Sequence, residues 1–156
     1  MLYYTEFGLS HAEVPGESSL CIYLSGCKNR CDHCHYPALQ RPDYGDPLLC
    51  FFPNIIDLYL TQASCVCFLG EGDNTEVERR EFTICVQYAH HAGLKTCLYS
   101  GRNVSVEPWM VIFDYVKVGS FQEKLGPLEN PSTNQRMYQN IRGRYVDITS
   151  AFWKIC

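Results

Sequence analysis

Residues 65–99 read CVCFLGEGDNTEVERREFTICVQYAHHAGLKTCLY: an apolar run, a glycine-rich turn, an amphipathic stretch and a second apolar run. The amphipathic stretch carries the clearest helix signal in the chain. Thr75 followed three residues later by Glu78 is a capping-box pattern, in which each side chain accepts a hydrogen bond from the other residue's backbone N–H. Phe82, Cys85, Val86 and Ala89 fall at helical spacing on one face, Glu76, Arg79 and Arg80 can face water, and Gly93 is placed to end the helix. The flanking runs, Cys65 to Leu69 and Leu94 to Tyr99, read as short buried strands.

Two further apolar runs, Ser19 to Ser25 and Phe113 to Val118, read the same way, and a weaker helix is expected over Pro53 to Gln62. Strands alternating with helices imply parallel pairing through right-handed crossovers. No internal repeat or low-complexity segment interrupts this order, and the Pro and Gly clusters are too short to divide the chain. The expected fold class is α/β, one domain over residues 1–156, built as an open sheet or an incomplete (partial) β/α barrel of mostly parallel strands. In such folds the loops leaving the carboxyl ends of the strands build the active site.

Composition narrows the function classes. A chain of 156 residues with a 46% apolar share suits one sizeable core. Thirteen basic against seventeen acidic side chains, a net charge of −4, argue against nucleic acid as a partner. The sequence has no run of about 18 apolar residues and no basic-then-apolar leader, so a cytoplasmic protein with no membrane partner is expected. Ten cysteines is a high count, but several sit inside apolar runs, which favours free thiols in a reducing compartment over a disulfide scaffold.

Three of those cysteines are clustered. Gly26-Cys27-Lys28-Asn29-Arg30-Cys31-Asp32-His33-Cys34 follows the first apolar run directly and places three thiols in a Cys-x3-Cys-x2-Cys loop. Thiolates are the soft ligands of iron–sulfur clusters, and three where four are usual leave one iron open. A structural zinc held by Cys27, Cys31 and Cys34 with His33 or His35 is the alternative, although zinc sites more often use two separated ligand pairs. The second strand runs into Gly70-Glu71-Gly72-Asp73, where glycines let the backbone approach a ligand. The third and fourth end in Tyr99-Ser100-Gly101-Arg102 and Gly119-Ser120-Phe121. Every expected strand thus delivers polar or glycine-rich residues at its carboxyl end.

On the cysteine loop the chain resembles the radical S-adenosylmethionine superfamily, whose signature is Cys-x3-Cys-x-aromatic-Cys; His33 stands at the aromatic position. The resemblance implies a partial barrel of that type and a [4Fe-4S] cluster on Cys27, Cys31 and Cys34. It also implies S-adenosyl-L-methionine contacts at His33, His35, Gly70, Glu71, Gly72, Asp73, Tyr99 and Ser100, with either Glu71 or Asp73 facing the cofactor's amino group. Within the superfamily, Glu13-Val14-Pro15-Gly16-Glu17, Tyr115 to Ser120, Leu125-Gly126-Pro127-Leu128 and Ser132-Thr133-Asn134-Gln135-Arg136 resemble the activating proteins of anaerobic, class III ribonucleoside-triphosphate reductases. That resemblance implies reductive cleavage of the cofactor and removal of a hydrogen atom from a glycine of the large reductase. Reduced flavodoxin or a similar donor is the implied electron source, and no catalytic residue is implied beyond cluster and cofactor. A radical enzyme for another peptide or metabolite, and a zinc-stabilised binding module, are the competing readings.

Other residues have quieter explanations. Cys65 and Cys67 are read as core thiols, and His90 and His91 as partners of the negative end of the helix dipole. Arg136, Arg142 and Arg144 form a basic set for a partner or for solvent, and Asn134-Gln135-Arg136 is an expected reductase contact.

Overall fold

A computed structural model describes residues 1–28 and 36–153. One mixed sheet of eight strands runs through it in the order β3-β1-β2-β4-β5-β6-β7-β8. The strands are β1 (Tyr3–Ser10), β2 (Ser19–Leu24), β3 (Asp46–Pro47), β4 (Cys65–Leu69), β5 (Lys95–Tyr99), β6 (Tyr115–Val118), β7 (Arg136–Ile141) and β8 (Arg144–Asp147). The α-helices among the described residues are α1 (Leu48–Tyr59) and α2 (Glu76–His91).

The expected partial β/α barrel of mostly parallel strands is therefore corrected. Parallel pairing is confined to β2, β4, β5 and β6, whereas β1, β3, β7 and β8 all pair antiparallel. Two local features account for this. Ahead of β2, β1 lies back along it, from Ser10 opposite Ser19 to Tyr4 opposite Leu24. After β6 the chain returns as a hairpin whose two-residue turn, Arg142 and Gly143, has φ of 53° and 84°, the positive values that match the twist of paired antiparallel strands. The crossover from β5 to β6 also lacks an α-helix; a 3-10 turn over Pro108–Ile112 fills that space with buried Met110. The order does not close on itself, and β3 and β8 are its edges.

Both helices cover one face. Strand residues Leu20, Ile22, Val66, Phe68, Leu98 and Val116 pack there against Phe52, Ile55 and Ile56 of α1 and Phe82, Cys85, Val86 and Ala89 of α2. The rings of Phe68, Phe82 and Phe113 meet edge to face at centroid separations of 5.5–6.1 Å, a geometry that adds to burial itself. Helix α2 begins as its sequence indicates: Glu78 N donates to Thr75 Oγ1 at 3.4 Å, and Thr75 N donates to Glu78 Oε2 at 2.9 Å. Helix α1 starts at Leu48, earlier than the expected Pro53, and carries that proline inside.

Among the described residues, no α-helix residue belongs to the core of the opposite face. Cys21, Cys67, Cys97 and Tyr115 lie side by side across β2, β4, β5 and β6, buried with Cys65, Val14 and Met137. Because side chains alternate along a strand, the next row on this face is Tyr23, Leu69, Tyr99 and Lys117, at the carboxyl ends of the same four strands.

Candidate functional site

That last row floors a cavity of about 370 Å³. Its walls come from the segments leaving the parallel strands: Cys27 after β2, Gly70 after β4, Ser100 and Gly101 after β5, Gly119 and Phe121 after β6. Tyr36, Leu39 and Gln40 close one side. Cys27 N donates to Leu39 O at 2.9 Å and Gly26 N to Arg41 O at 3.1 Å, so the segment carrying the first cysteine of the loop is tied to this wall. Tyr36 meets Tyr23 edge to face at 6.0 Å.

Two glycines allow the close approach of the loops. Gly70 has φ 118° and Gly72 φ 61°; a Cβ on Gly72 would sit 2.9 Å from Leu2 Cδ2 and 3.1 Å from Glu78 Oε1. Positive φ together with filled space leaves glycine as the residue that fits. Glu78 secures the same loop by accepting from Asp73 N at 3.2 Å.

Charge at the rim is organised around Arg102. Its Nε and Nη2 donate to the two oxygens of Glu71 at 2.8 and 2.9 Å, and Nη1 and Nη2 donate to Glu107 at 2.6 and 3.0 Å. Trp109 Nε1 donates to Glu107 at 2.7 Å. The bonds to Glu71 and then Glu107 push the guanidinium pKa up, while Arg102 holds the Glu107 carboxyl below the usual range. This pairing joins the β4 loop to the β5 loop and leaves a small void of about 40 Å³ between Cys27, Lys28, Gly70, Glu71, Gly72, Gly101 and Arg102.

Lys117 is the buried cation of the cavity, 7% exposed. Its Nζ donates to Gly119 O at 2.8 Å and Ser100 O at 3.4 Å and stands 5.5 Å from the centroid of the Tyr99 ring. Burial raises the Tyr99 hydroxyl well above its ordinary range, so it stays protonated and donates to the Glu13 carbonyl.

Of the residues singled out from the sequence, Cys27, Gly70, Tyr99 and Ser100 meet at the large cavity, and Glu71 and Gly72 join Cys27 and Gly70 at the small void. Asp73 lines neither; its carboxylate takes Lys28 Nζ at 2.7 Å in a largely exposed pair. Cys31, Cys34, His33 and His35 lie outside the described residues. Among the described residues no group of three or more His, Cys, Asp or Glu side chains could hold a metal ion.

Sequence reasoning did not single out Tyr23, Arg102 or Lys117 as site residues, and it read Gln135 only as a partner contact together with Asn134 and Arg136. Lys117 carried a signal, a lysine inside an apolar strand two residues from Tyr115. Arg102 carried none, because its buried partner Glu71 is 31 residues away along the chain. Asn134, expected at a partner surface, instead donates to Ser120 O at 3.1 Å and Asn103 Oδ1 at 3.3 Å, and Gln135 is part of the cavity wall.

No family model, curated protein or solved structure matches the chain. Among the described residues no helix is long and apolar enough to cross a membrane.

Proposed function

We propose that this chain is a cytoplasmic activating enzyme that generates a glycyl radical on a large anaerobic ribonucleotide reductase, using a [4Fe-4S] cluster and S-adenosyl-L-methionine. One observation carries the proposal: Cys27, the first thiol of the Cys-x3-Cys-x2-Cys loop, borders a cavity at the carboxyl ends of the parallel strands. The proposal rests on the motif and the site rather than on a barrel, since function follows the site and not the fold.

The residues present suit the two groups. Cys27 supplies a soft thiolate ligand, to which the loop adds Cys31 and Cys34. About 370 Å³ falls within the usual range of ligand pockets, about 300–1,000 Å³. Tyr23, Tyr36 and Tyr99 offer flat faces, the Lys117 ammonium suits an anionic group such as a carboxylate, and the Gly70–Gly72 backbone permits close approach. Glu71 is committed on both oxygens to Arg102, which assigns it to holding the β4 loop rather than to an amino group of the ligand.

Bound there, the cluster and cofactor would supply a reducing electron, delivered by reduced flavodoxin or a similar donor, and a radical able to remove a hydrogen atom. The protein's part is to bind, orient and exclude water. Leu69, Tyr23 and Tyr99 form an apolar floor above a fully buried thiol row, and the Arg102 pairings fix two loops of the rim.

Mixing the anaerobically reconstituted, reduced protein with the large reductase and S-adenosylmethionine tests the reading. A glycyl radical signal in electron paramagnetic resonance is expected, dependent on both proteins. Zinc in place of iron, with no radical, would favour a zinc-stabilised binding module.

A further inference from the structure

A second cavity of about 240 Å³, lined by Ala12, Pro127, Leu128, Glu129 and Phe152, shares four residues with the first: Glu13, Tyr99, Phe121 and Gln135. These four border both cavities and so form the neck between an inner chamber that reaches Cys27 and an outer one of mixed polar and apolar lining. Three of them explain themselves. Phe121 is a ring, the Tyr99 hydroxyl is bonded to the Glu13 carbonyl, and the Glu13 carboxylate accepts from Ser10.

Gln135 is different. It is 6% exposed, and its backbone N–H is bonded to Thr133 Oγ1 at 3.1 Å. Its carboxamide makes no hydrogen bond among the described residues, and the residue lines both cavities. The side chain is held from behind: Gly119 has φ 107°, and a Cβ there would lie 3.0 Å from Gln135 Cα and 3.5 Å from its Cγ. The backbone just after β6 thus backs the stem of Gln135, leaving the amide as the group at the neck without a partner among the described residues.

We infer that Gln135 is a positioning residue that grips the backbone N–H and C=O of one residue in an extended, glycine-bearing segment of the partner protein as it passes through the neck. The inference rests on the proposed function and specifies how its protein substrate is held. A carboxamide presents an acceptor and a donor side by side, matching the N–H and C=O that one residue of an extended chain points to the same side. Tyr99 and Phe121 both border the neck, and a residue without a side chain passes such bulky neighbours most readily. Two chambers in series suit a chain, which advances about 3.3 Å per residue when extended. An adenine edge offers the same donor and acceptor pair, and the experiment separates the two.

The variant is Gln135→Met, which keeps length and flexibility and removes both hydrogen-bonding atoms. One readout is the reductase concentration giving half-maximal glycyl radical formation, compared with the dissociation constant for S-adenosylmethionine. The other needs no cluster: binding of N-acetyl-hexaglycine amide and of its analogue with one central amide replaced by an ester, followed by nuclear magnetic resonance. An ester keeps an acceptor but has no N–H to donate. In Q135M the half-maximal reductase concentration should rise by about tenfold, the loss of one to two hydrogen bonds, while cofactor affinity shifts by less than about twofold. The wild type should prefer the amide over the ester by about fivefold, and Q135M should not. Equal binding of amide and ester by the wild type, or no binding of either, overturns the inference. So does a tenfold loss of cofactor affinity in Q135M, which would assign the carboxamide to the adenine. If the wild type forms no glycyl radical, the proposed function fails, and the amide and ester comparison still decides the role of Gln135.

Discussion

Replacing Arg102 with Met removes four donor contacts at once, two to Glu71 and two to Glu107. The Glu71 side chain is 8% exposed and would be left without the guanidinium that pairs with both its oxygens. Removing one partner of a buried ion pair costs about 3–5 kcal/mol, and the 29% exposure of Arg102 puts the expected loss near about 3 kcal/mol. With a urea m-value of about 2 kcal/mol/M, the unfolding midpoint should fall by about 1.5 M. The double variant E71Q/R102M should lose less than the two single changes added together, because Gln removes the stranded charge; the two sites should couple by about 1 kcal/mol or more. Since the pair joins the β4 and β5 loops, S-adenosylmethionine affinity should fall with stability in R102M and recover in part in the double variant. A midpoint within about 0.3 M of wild type for R102M would refute the view that this pairing holds the rim.

Three further outcomes follow from the same geometry. Gly72→Ala combines φ 61° with a Cβ 2.9 Å from Leu2 and should cost about 1–3 kcal/mol by thermal unfolding, whereas Gly143→Ala, with nothing within 4 Å, should cost less. Burial raises the thiols of Cys65, Cys67, Cys85 and Cys97, Cys85 to about 12, so these groups stabilise the fold fully below the ordinary value of 9.0 and less as pH rises past it. Urea midpoints measured on either side of pH 9 should therefore fall on the alkaline side, and native alkylation should mark exposed Cys50 before these four. Glu107 has the opposite sign: its pKa lies below the ordinary 4.5, so its contribution is present above that pH and lost as pH falls beneath it. Glu107→Gln should flatten the acid limb of the stability curve, and an unchanged limb would remove Glu107 from the account.

The parallel centre of the sheet was legible because its strands are continuous apolar runs: the readings over Ser19 to Ser25, Cys65 to Leu69, Leu94 to Tyr99 and Phe113 to Val118 cover β2, β4, β5 and β6. Helix α2 was legible from Thr75, Glu78 and the spacing of Phe82, Cys85, Val86 and Ala89. The antiparallel flanks were not. In β1, Glu6, Gly8 and Ser10 break the pattern, and the pairing slips between Tyr4 and Glu6. The β7–β8 hairpin turns on Arg142-Gly143, without the Asn or Asp that usually marks such a turn. Without those flanks the alternation pointed to an open sheet or an incomplete barrel of mostly parallel strands, and the crossover into β6 is a 3-10 turn over Pro108–Ile112. At the site, the Cys27, Gly70 and Tyr99 segments were legible because each follows a strand end. The Arg102–Glu71 pairing joins segments distant along the chain, which no local pattern encodes, and Gln135, expected from the sequence as a partner contact, lines the cavity.

The most direct test of the central claim is formation of 5'-deoxyadenosine by the isolated chain after anaerobic reconstitution with iron and sulfide, reduction, and addition of S-adenosylmethionine. The account predicts the product in wild type and its loss, together with the visible cluster absorption, in Cys27→Ala. Wild-type protein that loads iron yet releases no 5'-deoxyadenosine, or a C27A variant that still does, would contradict it.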